Sequence, residues 1–194
     1  MCGIVGLFLK EEAFKPHLGA LLTDMLVTMT DRGPDSAGIA IYGDEAAGRS
    51  KLTIQSPNAS SDFPDLEAAL DPQVSGGVKM RTKDTHAVLD LRSDQIGAAR
   101  EALRNIRPNV RMMSHGDTLE IYKEVGLPVS VAERFDLRAM SGSHGIGHTR
   151  MATESAVTTM GAHPFNTGPD QCLVHNGSLS NHNSLRRKLR RNGV

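Results

Sequence analysis

Apolar and polar positions follow two different periods near the start of the chain, and each period predicts one element. A run of apolar residues favours a short buried strand at 3–9. Between residues 16 and 30 the apolar positions recur at helical spacing, which places them on one face of a helix. The Gly-Pro pair at 33–34 ends that helix. The apolar positions of the strand are Ile4, Val5, Leu7 and Phe8, and those of the helix are Leu18, Leu21, Leu22, Met25 and Met29.

The same patterns predict a mixed order of strands and helices along the rest of the chain. Residues from about 44 to 77 are rich in Ser, Asp, Pro, Gly and Ala, and this composition predicts a loop. A basic helix is predicted from Ser180, its N-cap, with Leu185 and Leu189 facing the core. Further strands are predicted at 38–44, 86–91, 118–125, 144–152 and 171–177, and further helices at 94–106 and 132–140.

Length, charge and cysteine content limit the classes of protein to consider. The 194 residues suit one domain with room for an inserted lobe. The 22 basic and 22 acidic residues balance, so no overall field favours nucleic acid or an anionic membrane as a partner. No apolar run approaches the roughly 20 residues of a membrane span, and no secretory signal is visible. The two cysteines, Cys2 and Cys172, fit a reducing compartment, so we expect a cytoplasmic protein.

The opening sequence MCGIVGLF places a cysteine directly after the initiator methionine. Removal of Met1 would leave Cys2 with both a thiol and a free α-amine. The thiolate of a cysteine is a nucleophile, and the pKa of a free thiol is about 8.5. The α-amine has a pKa of about 7.7–8.0 and is a base beside that thiol. The stretch therefore indicates an N-terminal nucleophile, the alternative being an edge strand whose cysteine has no role.

Three polar clusters lie at predicted strand ends or turns, where catalytic groups are often found. Each is weak alone, because an arginine that ends a strand commonly forms a surface salt bridge and Asn-Gly is first a turn signal. Together with an N-terminal cysteine they supply what amide hydrolysis needs. An asparagine side chain and a glycine N–H can donate to an oxyanion, and an arginine can bind a substrate carboxylate. The clusters are RGPDS at 32–36, HTR at 148–150 and HNG at 175–177.

Five blocks resemble, in this order, the class II glutamine amidotransferase domain of the N-terminal nucleophile hydrolases: MCGIVGLF, DRGPDSAGIAIYG, GIGHTRMAT, AHPF and LVHNGSLSNHNSLR. The resemblance covers residues 1–43 and about 139–190. The segment between, with SHGDTLEIYKEVGLPVSVAERF, resembles the amidotransferase subunit of N-methylglutamate synthase and of glutamate-synthase-like complexes. The resemblance implies an α+β fold, a four-layer αββα sandwich of antiparallel sheets. It also implies a type-2 amidotransferase domain over 1–194 with a small α/β lobe inserted at about 44–138.

The resemblance also implies roles for individual residues. Cys2 is the expected nucleophile with its own amine as base, and Asn176 and Gly177 are the expected oxyanion hole. Arg150 is expected to bind the α-carboxylate of glutamine. The remaining expected substrate-binding residues are Arg32, which supports the N-terminus, Met151, which begins a loop at 151–161 that closes over substrate, and His163 of the AHPF block.

The implied reaction is hydrolysis of glutamine to glutamate and ammonia through a γ-glutamyl thioester. The expected partners are glutamine and a synthase subunit that accepts the ammonia, in a hetero-oligomer. No metal and no cofactor are expected in this chain, and flavin or iron–sulfur centres would lie on partner subunits. Two alternatives stay open: another N-terminal nucleophile amide hydrolase, and a catalytically silent regulatory subunit with the same fold.

The chain departs from the pattern of its relatives in two places. Many relatives have an aromatic residue where this chain has Met151. Relatives also carry an aspartate beyond the Asn-Gly pair that binds the glutamine amine, and this chain ends at Val194 before that position. The expectation is therefore a sandwich that is incomplete at its C-terminus. The 44–138 insertion is expected to be either a passive elaboration or a docking site for a partner.

Overall fold

A computed structural model describes residues 2–152, 156–177 and 180–193. Met1 and residues 153–155 of the predicted loop lie outside the described residues. The strands are β1 (Gly3–Phe8), β2 (Ser36–Tyr42), β3 (Arg49–Gln55), β4 (Lys79–Lys83), β5 (His86–Arg92), β6 (Arg111–Gly116), β7 (Leu119–Val125), β8 (His144–Arg150), β9 (Phe165–Gly168) and β10 (Gln171–Leu173). The α-helices are α1 (Leu18–Thr28), α2 (Ala59–Asp62), α3 (Leu66–Leu70), α4 (Ile96–Ile106), α5 (Pro128–Arg134) and α6 (His182–Arg191).

The first sheet has the strand order β1-β8-β2-β7 and is antiparallel throughout. Its registers put Gly3 of β1 opposite Thr149 of β8, and Ser36 of β2 opposite Arg150. Alternate residues of β2 share one buried core with the leucines of α1 and with α5. The start of β1 and the end of β8 therefore lie side by side at one end of this sheet.

The second sheet has the order β4-β5-β3-β6 and packs α3 and α4 against one face in a second core. The chain passes from this sheet to the first through β6 and β7. There the Ser114 hydroxyl donates to the carbonyl of Leu119 (3.5 Å) and accepts from the N–H of Ile121 (3.2 Å). The ring of His86 on β5 lies 5.8 Å from that of Tyr122 on β7. The two sheets thus meet at β7.

The α+β class with antiparallel sheets is confirmed, while the αββα layering stays a prediction. The second sheet is formed by strands within 49–116, inside the predicted insertion. By contrast β7 and α5, which also lie within 44–138, belong to the first sheet and its helices. A short β9–β10 hairpin completes the strands. Within the described residues, no helix is both long and apolar enough to cross a membrane.

The prediction of a loop at 44–77 is wrong, because this segment contains β3, α2 and α3. Polar residues dominate β3, yet the strand is central in the second sheet. Ser50 and Thr53 are buried there, and the Ser50 hydroxyl lies 2.9 Å from that of Ser93. Distant segments cover the strand and bury its polar residues, so its own periodicity did not reveal it.

The predicted orientation of the last helix is also wrong. Leu185 and Leu189 are 45% and 41% exposed, and all of α6 is exposed, because no other described element covers that face. Its N-cap is Asn181 rather than Ser180, without a side-chain cap bond. The helix predicted at 132–140 starts earlier, as α5, and ends at Arg134 because Asp136 takes a left-handed φ of 50°.

Candidate active site

Cys2 lies at one end of the first sheet, directly before β1. Because β1 pairs with β8 so that Gly3 is opposite Thr149, Cys2 lies beside the chain that leaves β8. Its Sγ atom is 4.0 Å from the carbonyl oxygen of Met151, and the residue is half-buried. The pairing of two strands therefore brings the predicted nucleophile next to residues that are far from it in sequence.

The loop before β2 joins this end of the sheet. The N–H of Asp35 donates to the carbonyl of Arg150 (3.1 Å), and its carboxylate accepts from the N–H of Ala152 (2.7 Å). These two bonds fix the loop to the chain that leaves β8. Arg32 lies three residues before Asp35, and its Nε atom donates to the carbonyl oxygen of Cys2 at 3.5 Å.

The segment after β10 reaches the same carbonyl oxygen. The Nδ2 atom of Asn176 donates to the Cys2 carbonyl at 2.9 Å. A side-chain amide has two N–H groups, so this bond leaves Asn176 a second donor. Gly177 follows with a φ of 144°, which favours glycine. In the described part of the chain the Gly177 N–H has no acceptor, and residues 175–177 are exposed.

Arg150 ends β8, and the predicted substrate loop at 151–161 begins directly after it. Its Nη1 atom donates to the carbonyl of Ala156 at 3.4 Å, across the start of the loop. At the other end, the Thr159 hydroxyl donates to the carboxylate of Glu124, which is buried on β7. The described ends of the loop are thus attached to β8 and β7.

His163 lies behind this group of residues. Its ring centroid is 4.4 Å from that of His148 on β8. The Nε2 atom of His148 is in turn 3.1 Å from the carbonyl oxygen of His175, which precedes Asn176. Among the described contacts, His163 therefore reaches the Cys2 end of the sheet through His148 rather than directly.

Burial lowers the pKa of three side chains in the region behind the site. It lowers the pKa of His148 below its usual value and that of His163 to about 4, so both rings are neutral near pH 7. Burial also lowers the pKa of Lys123 to about 8. This lysine donates to the carbonyls of Ala162 (2.8 Å) and Pro164 (3.0 Å), on either side of His163.

The predicted site residues therefore meet in two groups. Direct contacts join Cys2 to Arg32, Asn176 and Met151, with Arg150 and Gly177 adjacent in sequence to these contacts. His163 is part of the group behind them. The roles that the family resemblance implies for these residues stay predictions. Among the described residues, no three His, Cys, Asp or Glu side chains come together as metal ligands would.

Two residues that shape the site were missed. Lys123 and Glu124 are adjacent on β7 and both are buried, at 3% and 7% exposure. Successive residues of a strand face opposite sides of a sheet. The sequence signal for these contacts was the Lys-Glu pair inside a predicted strand, because it puts one polar side chain on each face of the sheet.

Comparison with known proteins gives two relatives whose similarity extends over the whole of this chain. The chain is 63% identical over 196 residues to the glutamine amidotransferase-like protein GlxB of Rhizobium meliloti, covering 100% of this chain and 64% of that protein. It is 31% identical over 209 residues to a "Putative glutamine amidotransferase" of Methanothermobacter thermautotrophicus, covering 100% of this chain and 66% of that protein. The comparisons support a glutamine amidotransferase family for this chain. No protein-family model matches it.

A partial match points the same way. Over 74 residues the chain is 35% identical to a glutamine–fructose-6-phosphate aminotransferase of Methanococcus maripaludis, covering 38% of this chain and 12% of that protein. The chain spans slightly less than two thirds of the lengths of the two relatives that match all of it.

Proposed function

We propose that this chain is the glutamine-hydrolysing part of a class II glutamine amidotransferase, with Cys2 as its nucleophile. The main support is the meeting of three distant segments at one residue. Arg32 and Asn176 both donate to the Cys2 carbonyl, and the Cys2 thiol lies beside the Met151 carbonyl. These contacts hold the residue while leaving its thiol without a covalent partner, as a nucleophile requires.

The proposed reaction begins after Met1 is removed. The α-amine of Cys2 takes the thiol proton, and the thiolate sulfur attacks the side-chain amide carbon of glutamine. The tetrahedral intermediate then breaks its C–N bond, and the ammonium group returns the proton to the leaving nitrogen, which departs as ammonia. A water molecule hydrolyses the resulting γ-glutamyl thioester to glutamate and regenerates the thiol. No atom changes oxidation state, so these steps need no redox cofactor.

The oxyanion of that intermediate needs donors in fixed positions. In our proposal the second N–H of Asn176 and the backbone N–H of Gly177 supply them. The bond from Asn176 to the Cys2 carbonyl supports this role, because it ties the donor to the same residue that carries the nucleophile. A shift of Cys2 would therefore also shift Asn176.

The α-carboxylate of glutamine is proposed to bind Arg150. A guanidinium can hold a carboxylate through two parallel hydrogen bonds. The position of Arg150 at the end of β8, beside the strand that follows Cys2, supports this assignment. Met151 and the rest of the loop at 151–161 would then cover the substrate, as lids do in enzymes that exclude water.

The fate of the ammonia is proposed from the family resemblance. The resemblance implies transfer to a synthase subunit in a hetero-oligomer, and glutamate or N-methylglutamate synthesis is the proposed context. Sequence similarity over the whole chain to amidotransferase-like proteins supports the glutamine half of this proposal. The proposed transfer of ammonia to a synthase rests on the resemblance of the segment between residues 43 and 139 to the amidotransferase subunit of N-methylglutamate synthase.

Substitution of the two cysteines in the full-length protein tests the proposed function. We expect Cys2→Ala and Cys2→Ser to reduce glutamate release from glutamine to background, because serine is far less ionised than cysteine. Cys172→Ser is the matched control, since this half-buried residue accepts a bond from Tyr42 on another part of the sheet. Circular dichroism would show that each variant is folded. Glutamine turnover by folded Cys2→Ala would contradict the proposal.

A panel of amides separates the remaining alternatives. Hydrolysis of glutamine but not of asparagine or acyl amides is the expected result for an amidotransferase. Turnover of acyl amides alone would indicate another N-terminal nucleophile hydrolase. No turnover of any amide by the full-length protein in its complex would favour the silent regulatory subunit.

A further inference from the structure

We propose that His148 is a positioning residue for the oxyanion donors, acting through the carbonyl of His175. This inference rests on the proposed function, because it concerns the placement of Asn176 and Gly177 next to Cys2. His148 lies in the middle of the first sheet, opposite Ile4 of β1 and Gly38 of β2. The resemblance assigned no role to it.

The hydrogen bond from His148 defines the protonation of its ring. The His175 carbonyl oxygen 3.1 Å from Nε2 can only accept, so Nε2 carries the proton and donates. Burial lowers the pKa of His148, with the charge of Arg150 adding to the effect, so the ring is neutral near pH 7. Its other nitrogen, Nδ1, is buried and has no partner among the described residues. The bond to His175 is therefore the polar contact that orients this ring.

The segment that carries the donors depends on this bond. Within the described part of the chain, two hydrogen bonds attach residues 174–177 to other segments: His148 to the His175 carbonyl, and Asn176 to the Cys2 carbonyl. All three of residues 175–177 are exposed, so packing contributes little to their placement. Without His148, the segment would be attached only by Asn176 itself. Oxyanion donors must be held within about 0.5 Å to act.

Packing holds the His148 ring in place. The ring of His163 lies against it at 4.4 Å, and Phe165 contacts His163 edge-on at 4.6 Å. A β-carbon at Gly38 would lie 2.0 Å from the carbonyl oxygen of His163, so glycine is needed for this approach. An apolar side chain would fill the same fully buried position without an unpaired nitrogen. The histidine therefore fits a role in orienting a neighbour better than a role in stability.

Two amide substitutions test this inference in the full-length protein. The side-chain amide of His148→Gln can reach the position of the imidazole Nε2, whereas that of His148→Asn is one methylene shorter. We expect kcat for glutamine hydrolysis to be at least about tenfold higher in His148→Gln than in His148→Asn, with KM for glutamine changed by less than about threefold in both. Equal kcat values, or an effect on KM alone, would overturn the inference.

Two further variants, His144→Gln and Cys2→Ala, separate this inference from the proposed function. His144→Gln changes a histidine on the same strand that stacks on Tyr42 far from Cys2, and its kcat is expected to match the wild type. If the wild type hydrolyses glutamine and Cys2→Ala does not, a wild-type kcat in His148→Asn overturns the role of His148 alone. Glutamine hydrolysis by Cys2→Ala would instead overturn the proposed function, and this inference with it.

Discussion

The carbonyl oxygen of Cys2 accepts hydrogen bonds from two side chains that are far apart in sequence, Arg32 and Asn176. A backbone carbonyl has two lone pairs and can accept both bonds. Their shared acceptor lies next to the side chain that would carry out catalysis. At the scale of single residues, these two contacts orient the cysteine.

Arg150→Lys tests the proposed carboxylate site. Lysine keeps the positive charge but loses the two parallel hydrogen bonds of a guanidinium. A charge-assisted bond is worth about 1.5–3 kcal/mol, so we expect KM for glutamine to rise on the order of tenfold or more. Steady-state kinetics give KM, and alkylation by iodoacetamide reports on access to Cys2, which should not change. Arg138→Lys, at a surface ion pair with Asp24, is the control. An unchanged KM in Arg150→Lys would move the carboxylate site elsewhere.

Gly38→Ala tests how closely the chain around His163 packs on the first sheet. The new β-carbon would lie 2.0 Å from the His163 carbonyl oxygen, so the backbone must shift. We expect the free energy of unfolding to fall by about 1–3 kcal/mol, measured by urea denaturation. Gly6→Ala is the matched control in the same sheet, because nothing lies within 4 Å of its β-carbon. A loss of stability that is no larger in Gly38→Ala than in Gly6→Ala would refute the close contact.

At the scale of secondary structure, β7 links the site to the rest of the protein. Its Lys123 binds the carbonyls on either side of His163. Its Glu124 binds Thr159 in the predicted substrate loop and Thr85 next to β5. Side chains from one strand thus reach both the loop and the second sheet. The loop and the group of residues behind the site are therefore expected to respond together to changes in β7.

Lys123 predicts a specific dependence of stability on pH. Burial disfavours the charged form and lowers the pKa of Lys123 in the folded protein from the ordinary value of 10.5 to about 8. Between these values the unfolded chain binds more protons, so the free energy of unfolding contributed by this group rises as pH rises from about 8 to 10.5. Lys123→Met should lack this rise and should lower stability at pH 7 by leaving two buried carbonyls unpaired.

Denaturant unfolding at several pH values measures the effect. The exposed Lys79→Met is the control, since it removes a lysine without disturbing buried carbonyls. The difference in unfolding free energy between wild type and Lys123→Met should increase from pH 8 upward. A difference that stays constant or shrinks over this interval would show that the buried lysine is not destabilised in its charged form.

The elements differ in how far the sequence predicted them. The predicted strands at 86–91 and 118–125 and the helix at 94–106 correspond to β5, β7 and α4, because each has a clear apolar period. β3 was not predicted, because it lacks such a period and its polar residues are buried by distant segments such as the one that contains Ser93. The apolar spacing of α6 predicted a buried face, but no described element covers it. Periodicity reports what a segment could bury, and tertiary contacts decide whether it does.

At the scale of the whole molecule, the two sheets meet at β7, and Val88 of β5 and Met113 of β6 also lie in cores shared with the first sheet. Glu120 of β7 is buried, and its carboxylate binds Arg81 of β4 and Lys51 of β3. These charges hold its pKa below the ordinary value despite burial. Polar and apolar contacts thus join the second sheet to the first, which carries the Cys2 end.

The site as a whole was only partly predictable. The three polar clusters were visible because each combines residue types that amide hydrolysis uses, and the fold brings two of them to Cys2 through Arg32 and Asn176. The orientation of His148 and the contacts of Lys123 depend on the packing of segments that are distant in sequence. No local pattern encodes that packing, so neither residue received a role from the sequence.

The proposed role of Cys2 as an N-terminal nucleophile directed at glutamine can be tested by covalent labelling. The full-length protein is treated with a diazoketone analogue of glutamine, and the mass of the N-terminal peptide is measured. We expect a peptide that begins at Cys2, lacks Met1 and carries one adduct, and that excess glutamine protects from labelling. A peptide that retains Met1, an adduct on Cys172, or labelling that glutamine does not reduce would contradict the account.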